Sequence, residues 1–142
     1  MYDIKAIDSK VHKKCTGKGN ELILSNLRFI LEKGCDVEIR YPLVKGYNDG
    51  EAEKIGEFLK KCNFSGKVKV LQYHDFSGSR YEALGMENTM PKAFTSFEDV
   101  ESAKNILEEQ QAKQAEIDEK INTLPDIIDT LKATATEVGE LQ

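Results

Sequence analysis

The chain has 142 residues, a net charge of −5, and 39% hydrophobic against 32% charged residues. That is one domain's worth of sequence, or a small domain with a tail. No run approaches the roughly 20 apolar residues of a membrane span, and Met1-Tyr2-Asp3-Ile4-Lys5 lacks the basic-then-apolar pattern of a signal peptide. The acidic balance argues against a nucleic-acid binder. The expectation is a cytoplasmic protein with neither nucleic acid nor membrane as partner. Cys15, Cys35 and Cys62 are too few and too scattered for a disulfide framework or a zinc knuckle. They are expected as reduced, mostly buried thiols.

Charge divides the chain after Glu108. Residues 1–108 hold 17 basic and 17 acidic residues, whereas residues 109–142 hold 3 and 8. All eleven aromatics precede the boundary. Residues 1–108 therefore read as a globular unit and 109–142 as an acidic helical tail.

Tyr2–Ile7 reads as a short strand. His12 among Lys10, Lys13 and Lys14 reads as a solvated residue. Thr16-Gly17-Lys18-Gly19-Asn20 lacks the spacing of a phosphate-binding loop. Asn20 is a plausible helix cap, and Leu22, Ile23, Leu27, Ile30 and Leu31 form a helical stripe ending at Gly34. Val37–Leu43 alternates as a strand does. Asp49 is placed to cap a helix over Glu51–Cys62, with Ala52, Ile55, Phe58 and Leu59 on one face. Lys67–Tyr73 is a third strand, and Asp75–Ala93 a punctuated loop. Ser96 then caps a helix with Glu98 and Asp99 in its first turn. This order predicts a parallel α/β sheet with right-handed crossovers.

The strands imply one polar face. Asp3 and Lys5 oppose Tyr2 and Ile4; Glu38 and Arg40 oppose Val37, Ile39 and Tyr41; Gln72 and His74 are set against Leu71 and Tyr73. Ligands of parallel α/β folds gather at the carboxyl ends of the strands. There Lys5, Arg40 and His74 suit an anionic or zwitterionic small molecule. The same alternation also arises on a face that is merely solvated.

Several motifs carry a resemblance. They are Asp3-Ile4-Lys5, Asp8-Ser9-Lys10-Val11-His12-Lys13-Lys14-Cys15-Thr16-Gly17, Asn20-Glu21-Leu22-Ile23-Leu24-Ser25-Asn26-Leu27, Ile39-Arg40-Tyr41-Pro42-Leu43-Val44-Lys45-Gly46-Tyr47-Asn48-Asp49, Leu71-Gln72-Tyr73-His74 and Tyr81-Glu82-Ala83-Leu84-Gly85. In this order residues 2–108 resemble the C-terminal half of a glycyl-radical-enzyme activating enzyme. These belong to the radical S-adenosylmethionine family, typified by pyruvate formate-lyase activating enzyme. The resemblance implies half of a partial (β/α)6 barrel. It also implies a chemistry in which a [4Fe-4S] cluster on a CxxxCxxC loop reductively cleaves S-adenosylmethionine, and the resulting radical takes hydrogen from a glycine of a partner enzyme. By resemblance, Lys5 contacts S-adenosylmethionine, Asp3 helps hold a nearby cation, His74 lines the same site, and Arg40 joins them.

No CxxxCxxC occurs in the sequence, so the iron–sulfur ligands expected for the family are missing from this chain. The expectation is a chain inactive alone, or dependent on a separate N-terminal half-barrel chain. A half-barrel also leaves sheet edges and an inner face to be covered. In the tail, Ile117, Ile121, Leu124, Ile128, Leu131, Ala135 and Val138 fall at alternating steps of four and three, a heptad seam. Its phase runs back through Gln114, Gln110, Leu107, Ala103 and Val100, and Pro125 interrupts it. Two helices or one kinked helix are expected. The segment reads as a coiled coil or hairpin for self-association, a helix packed on the half-barrel, or a frayed tail. The alternative function is thus a non-enzymatic interaction protein whose working part is the coiled-coil tail.

Overall fold

The computed structural model describes residues 1–76, 78–88, 92 and 94–140, with side chains through residue 132. Three strands, β1 (Tyr2–Asp3), β2 (Ile39–Leu43) and β3 (Val68–Gln72), form a parallel sheet in the order β1-β2-β3. Five α-helices accompany them among the described residues: α1 (Ser9–Thr16), α2 (Glu21–Glu32), α3 (Ala52–Lys61), α4 (Gly78–Ala83) and α5 (Phe97–Glu140). A single 3-10 turn, Asp49–Glu51, precedes α3. The expected parallel α/β order is therefore present.

Each helix has a local cause. Asp8 caps α1, its Oδ1 accepting from the Lys10 and Val11 amides at 2.8 and 3.4 Å, and Gly17 ends it in the left-handed conformation at φ 80°. Caps at both ends define this short, lysine-rich helix. In α3 the predicted face is the buried one: Ala52, Ile55, Phe58 and Leu59 are all in the core. Ser96 and Asp99 cap α5 reciprocally. The Asp99 amide donates to Ser96 Oγ at 3.1 Å, and the Ser96 amide donates to Asp99 Oδ2 at 2.9 Å.

The core lies on one side of the sheet. Ile4, Ile39, Tyr41, Leu43 and Val70 pack with Leu27 of α2, the α3 face, and Val100, Ala103 and Leu107 of α5. A fully buried aliphatic side chain of this kind is worth about 1.5–3 kcal/mol. Helix α5 approaches α3 closely at Gly56, where an added Cβ would lie 2.9 Å from Gln110 Cβ.

The structure corrects several expectations. His12 is buried, 4% exposed, rather than solvated. Its Nδ1 lies 2.8 Å from the Lys18 carbonyl oxygen and 3.1 Å from Thr16 Oγ1, so a polar site around the ring replaces water. Cys15 and Cys35 are exposed, at the end of α1 and in the turn after α2, and Cys62, at the end of α3, is half-buried against the core. Asp75–Ala93 contains α4. Of the two expected arrangements of the tail, the structure has the single helix: Pro125 lies inside α5, which runs from Phe97 to Glu140. The seam positions Ala135 and Val138 fall outside the described side chains.

Candidate functional site

The parallel register decides which side chains share a face. Tyr2 pairs with Ile39 and Asp3 with Arg40; Arg40 pairs with Lys69, Tyr41 with Val70 and Leu43 with Gln72. Neighbours in register point the same way. Asp3, Arg40 and Lys69 thus form a row on the face away from the core. Gln72 does not join them. It stands beside buried Leu43 and donates from Nε2 to the Thr95 carbonyl at 2.6 Å. The expected common face of Asp/Lys, Glu/Arg and Gln/His is corrected at β3, whose inward residues are Val68 and Val70 rather than Leu71 and Tyr73. A shift of one residue in phase exchanges the faces of a strand.

Arg40 Nε donates to Asp3 Oδ1 at 2.8 Å, and Nη2 lies 2.7 Å from the same oxygen in an ion pair; each side chain is about one-third exposed. Alternation with buried Ile4 and Ala6 puts Lys5 on the same face as Asp3. Among the described residues, Lys5 and Lys69 enter no ion pair. His74 follows β3, exposed, with its ring stacked on Phe76 at 5.1 Å. The structure thus joins Asp3 to Arg40 and leaves the Lys5 and His74 side chains open to solvent near the carboxyl ends of β1 and β3.

A buried polar frame holds those ends. Asn48, 3% exposed, donates from Nδ2 to the Lys5 and Pro42 carbonyls at 2.7 and 2.8 Å, and its Oδ1 accepts from the Val44 amide at 2.7 Å. The Tyr41 hydroxyl donates to the Asn48 carbonyl, and burial pushes that phenol well above its usual pKa. Glu51 Oε2 accepts from the Ile7 and Asp8 amides, both at 2.8 Å, while its Oε1 takes Lys54 Nζ at 2.7 Å. Asn20 occupies the cap position of α2 without capping it. Its Nδ2 donates instead to the Ala6 and Ile7 carbonyls, each at 2.9 Å. Thr95 Oγ1 donates to the Leu43 carbonyl at 3.2 Å. Sequence reasoning assigned none of these four residues to the site. The available signal was their place in the connections between elements, each just before a helix: Asn20 before α2, Asn48 and Glu51 before α3, Thr95 before α5.

Such a face can bind an anionic or zwitterionic group by charge-assisted hydrogen bonds. Among the described residues no three His, Cys, Asp or Glu side chains are grouped for a metal. Partial burial pushes the Cys62 thiol up.

No protein-family model matches the chain. Its homologues are glycyl-radical-enzyme activating enzymes. It is 44% identical over 93 residues to the choline trimethylamine-lyase activating enzyme of Oleidesulfovibrio alaskensis, covering 61% of this chain and 30% of that one. It is 41% identical over 88 residues to the trans-4-hydroxy-L-proline dehydratase activating enzyme of Clostridioides difficile, covering 59% and 29%. With the pyruvate formate-lyase 1-activating enzyme of Escherichia coli it shares 29% over 116 residues, covering 77% and 46%. The chain therefore spans less than half the length of these relatives. The fold matches a crystallised domain of a pyruvate formate-lyase-activating enzyme from Bacteroides vulgatus. The TM-score is 0.59 at 29% identity, covering 76% of this chain and 60% of that one. Among the described residues no helix is long and apolar enough to cross a membrane.

Proposed function

We propose that residues 1–108 form the C-terminal half of a partial (β/α)6 barrel in a radical S-adenosylmethionine activase that generates a glycyl radical on a partner enzyme. The observation that carries this reading is the one-sided sheet: the core fills one face, and Asp3, Arg40 and Lys69 occupy the other. A barrel turns such a face inward. The names of the relatives support the class of partner.

In this reading Lys5, Arg40 and His74 contact S-adenosylmethionine. The exposed Lys5 ammonium suits its carboxylate, and the exposed imidazole of His74 can donate or accept. Asp3 orients Arg40 and leaves one carboxylate oxygen towards a cation. The Asn48 and Glu51 frame fixes the strand ends, so the donors are ordered before the ligand arrives. S-adenosylmethionine would supply the radical precursor when bound, and the cluster's ligands would come from a separate N-terminal half-barrel chain. The exposed Cys15 and Cys35 thiols suit the reducing cytoplasm.

The test is co-expression with the N-terminal segment, bearing CxxxCxxC, of the Oleidesulfovibrio alaskensis relative. Co-purification and a glycyl-radical signal on the cognate lyase by electron paramagnetic resonance are expected. Failure of the two segments to associate, with each folded, would overturn the half-barrel reading.

A further inference from the structure

The seam of α5 changes partner along its length. Val100, Ala103 and Leu107 are buried against the α/β unit, and Gln110 meets Gly56. Gln111 Nε2 donates to the Gly66 carbonyl. Beyond Gln114 the same seam continues through Ile117, Ile121, Leu124, Ile128 and Leu131, which are between 41% and 63% exposed. We propose that this distal segment pairs with the same segment of a second copy of the chain, as a parallel two-stranded coiled coil.

Three features of the segment select that occupant. The first is the residue type at each seam position. Steps of three and four put Ile121 and Ile128 at a, and Ile117, Leu124 and Leu131 at d. Branched residues at a with leucine at two of the three d positions favour two parallel strands. The second is charge. All three tail lysines, Lys113, Lys120 and Lys132, fall at the g and e positions beside the seam. Glu109, Glu116, Glu119, Asp126 and Asp129 fall at the outward b, c and f positions. In a parallel pair Lys113 at g faces Asp118 at e of the second copy, and Ile127 at g faces the aliphatic stem of Lys132. Within one chain Lys113 and Lys120 pair only with Glu109 and Glu116, four residues back, at 2.7 and 2.6 Å and largely exposed; such pairs hold a side chain weakly and yield to a better partner.

The third feature is Pro125. Inside a helix a proline removes one backbone hydrogen bond and crowds the preceding turn. Along a lone solvated helix nothing offsets that loss, because isolated helical stability is marginal and packing supplies the rest. Pro125 stands at an e position, outside the a and d contact, where a partner helix can pack on either side of it.

Sedimentation equilibrium of the full chain tests this. The expected mass is twice 16.0 kDa. The double substitution Ile121→Lys, Ile128→Lys is expected to halve it while leaving the near-ultraviolet tyrosine signal of the α/β unit unchanged. Direction is read by oxidation in a background with Cys15, Cys35 and Cys62 replaced by serine. Leu131→Cys is expected to cross-link and outward Glu119→Cys is not, since a d residue faces its own copy only in a parallel pair. A wild-type mass of 16.0 kDa at all concentrations, a dimer that survives the double substitution, or a dimer that Leu131→Cys fails to cross-link would each overturn the proposal.

Discussion

Arg40 reaches across from β2 to one oxygen of Asp3, the last residue of β1, with a hydrogen bond from Nε and an ion-pair contact from Nη2. With Lys69 next in register, this row carries two cations and one carboxylate. The pair is too exposed to matter much for stability. Its effect is orientation: a guanidinium held at one edge presents its remaining N–H groups in a fixed direction.

Asn48 is the residue on which the strand ends depend. Asn48→Ala removes two donors and an acceptor from buried backbone partners. Each buried group left unsatisfied costs about 1–3 kcal/mol. The expected outcome is a loss of at least about 2 kcal/mol in urea unfolding, with the slope of the transition unchanged.

Asp99 makes the start of α5 sensitive to acid. The hydrogen bond from Lys45, then those from Ser96, hold its carboxyl at a pKa of about 2. A depressed folded-state pKa contributes stability that is fully present above the unfolded value, near 3.8, and is lost as pH falls through the folded value. The stability gap between wild type and Asp99→Asn should therefore be constant near neutrality and close between about pH 4 and pH 2. Urea titrations at stepped pH measure it.

Gly56 sets how near α5 lies to α3. Alanine improves helix propensity by up to about 1 kcal/mol, but its Cβ would meet Gln110 Cγ and Cβ at 2.8 and 2.9 Å. The Gln110 Cβ is fixed to the helix backbone and cannot swing away. Gly56→Ala is expected to destabilise by about 1–3 kcal/mol, as overpacking does. Thermal unfolding of the two proteins decides whether clash or propensity wins.

The alternation of β2 and the stripe of α3 made the parallel order legible in the sequence, since both report burial directly. Helix α1 was hidden because three lysines blur its stripe and its ends are set by Asp8 and Gly17. At β3 the run Val70-Leu71 offers two apolar phases, and only pairing with β2 selects the one that turns Gln72 inward. Asp3 and Arg40 could be placed on one face from alternation alone. Asn48, Glu51, Asn20 and Thr95 could not be placed, because a polar residue reads as surface until the carbonyls and amides it serves are known.

Calorimetric titration of the chain with S-adenosylmethionine, beside a Lys5→Ala, His74→Ala double variant, tests the central claim most directly. Saturable binding to the wild-type chain, weakened at least tenfold (about 1.4 kcal/mol) in a variant of unchanged stability, is the predicted result. Equal binding by both, or none at millimolar ligand by a folded chain, would contradict an S-adenosylmethionine site built on these residues.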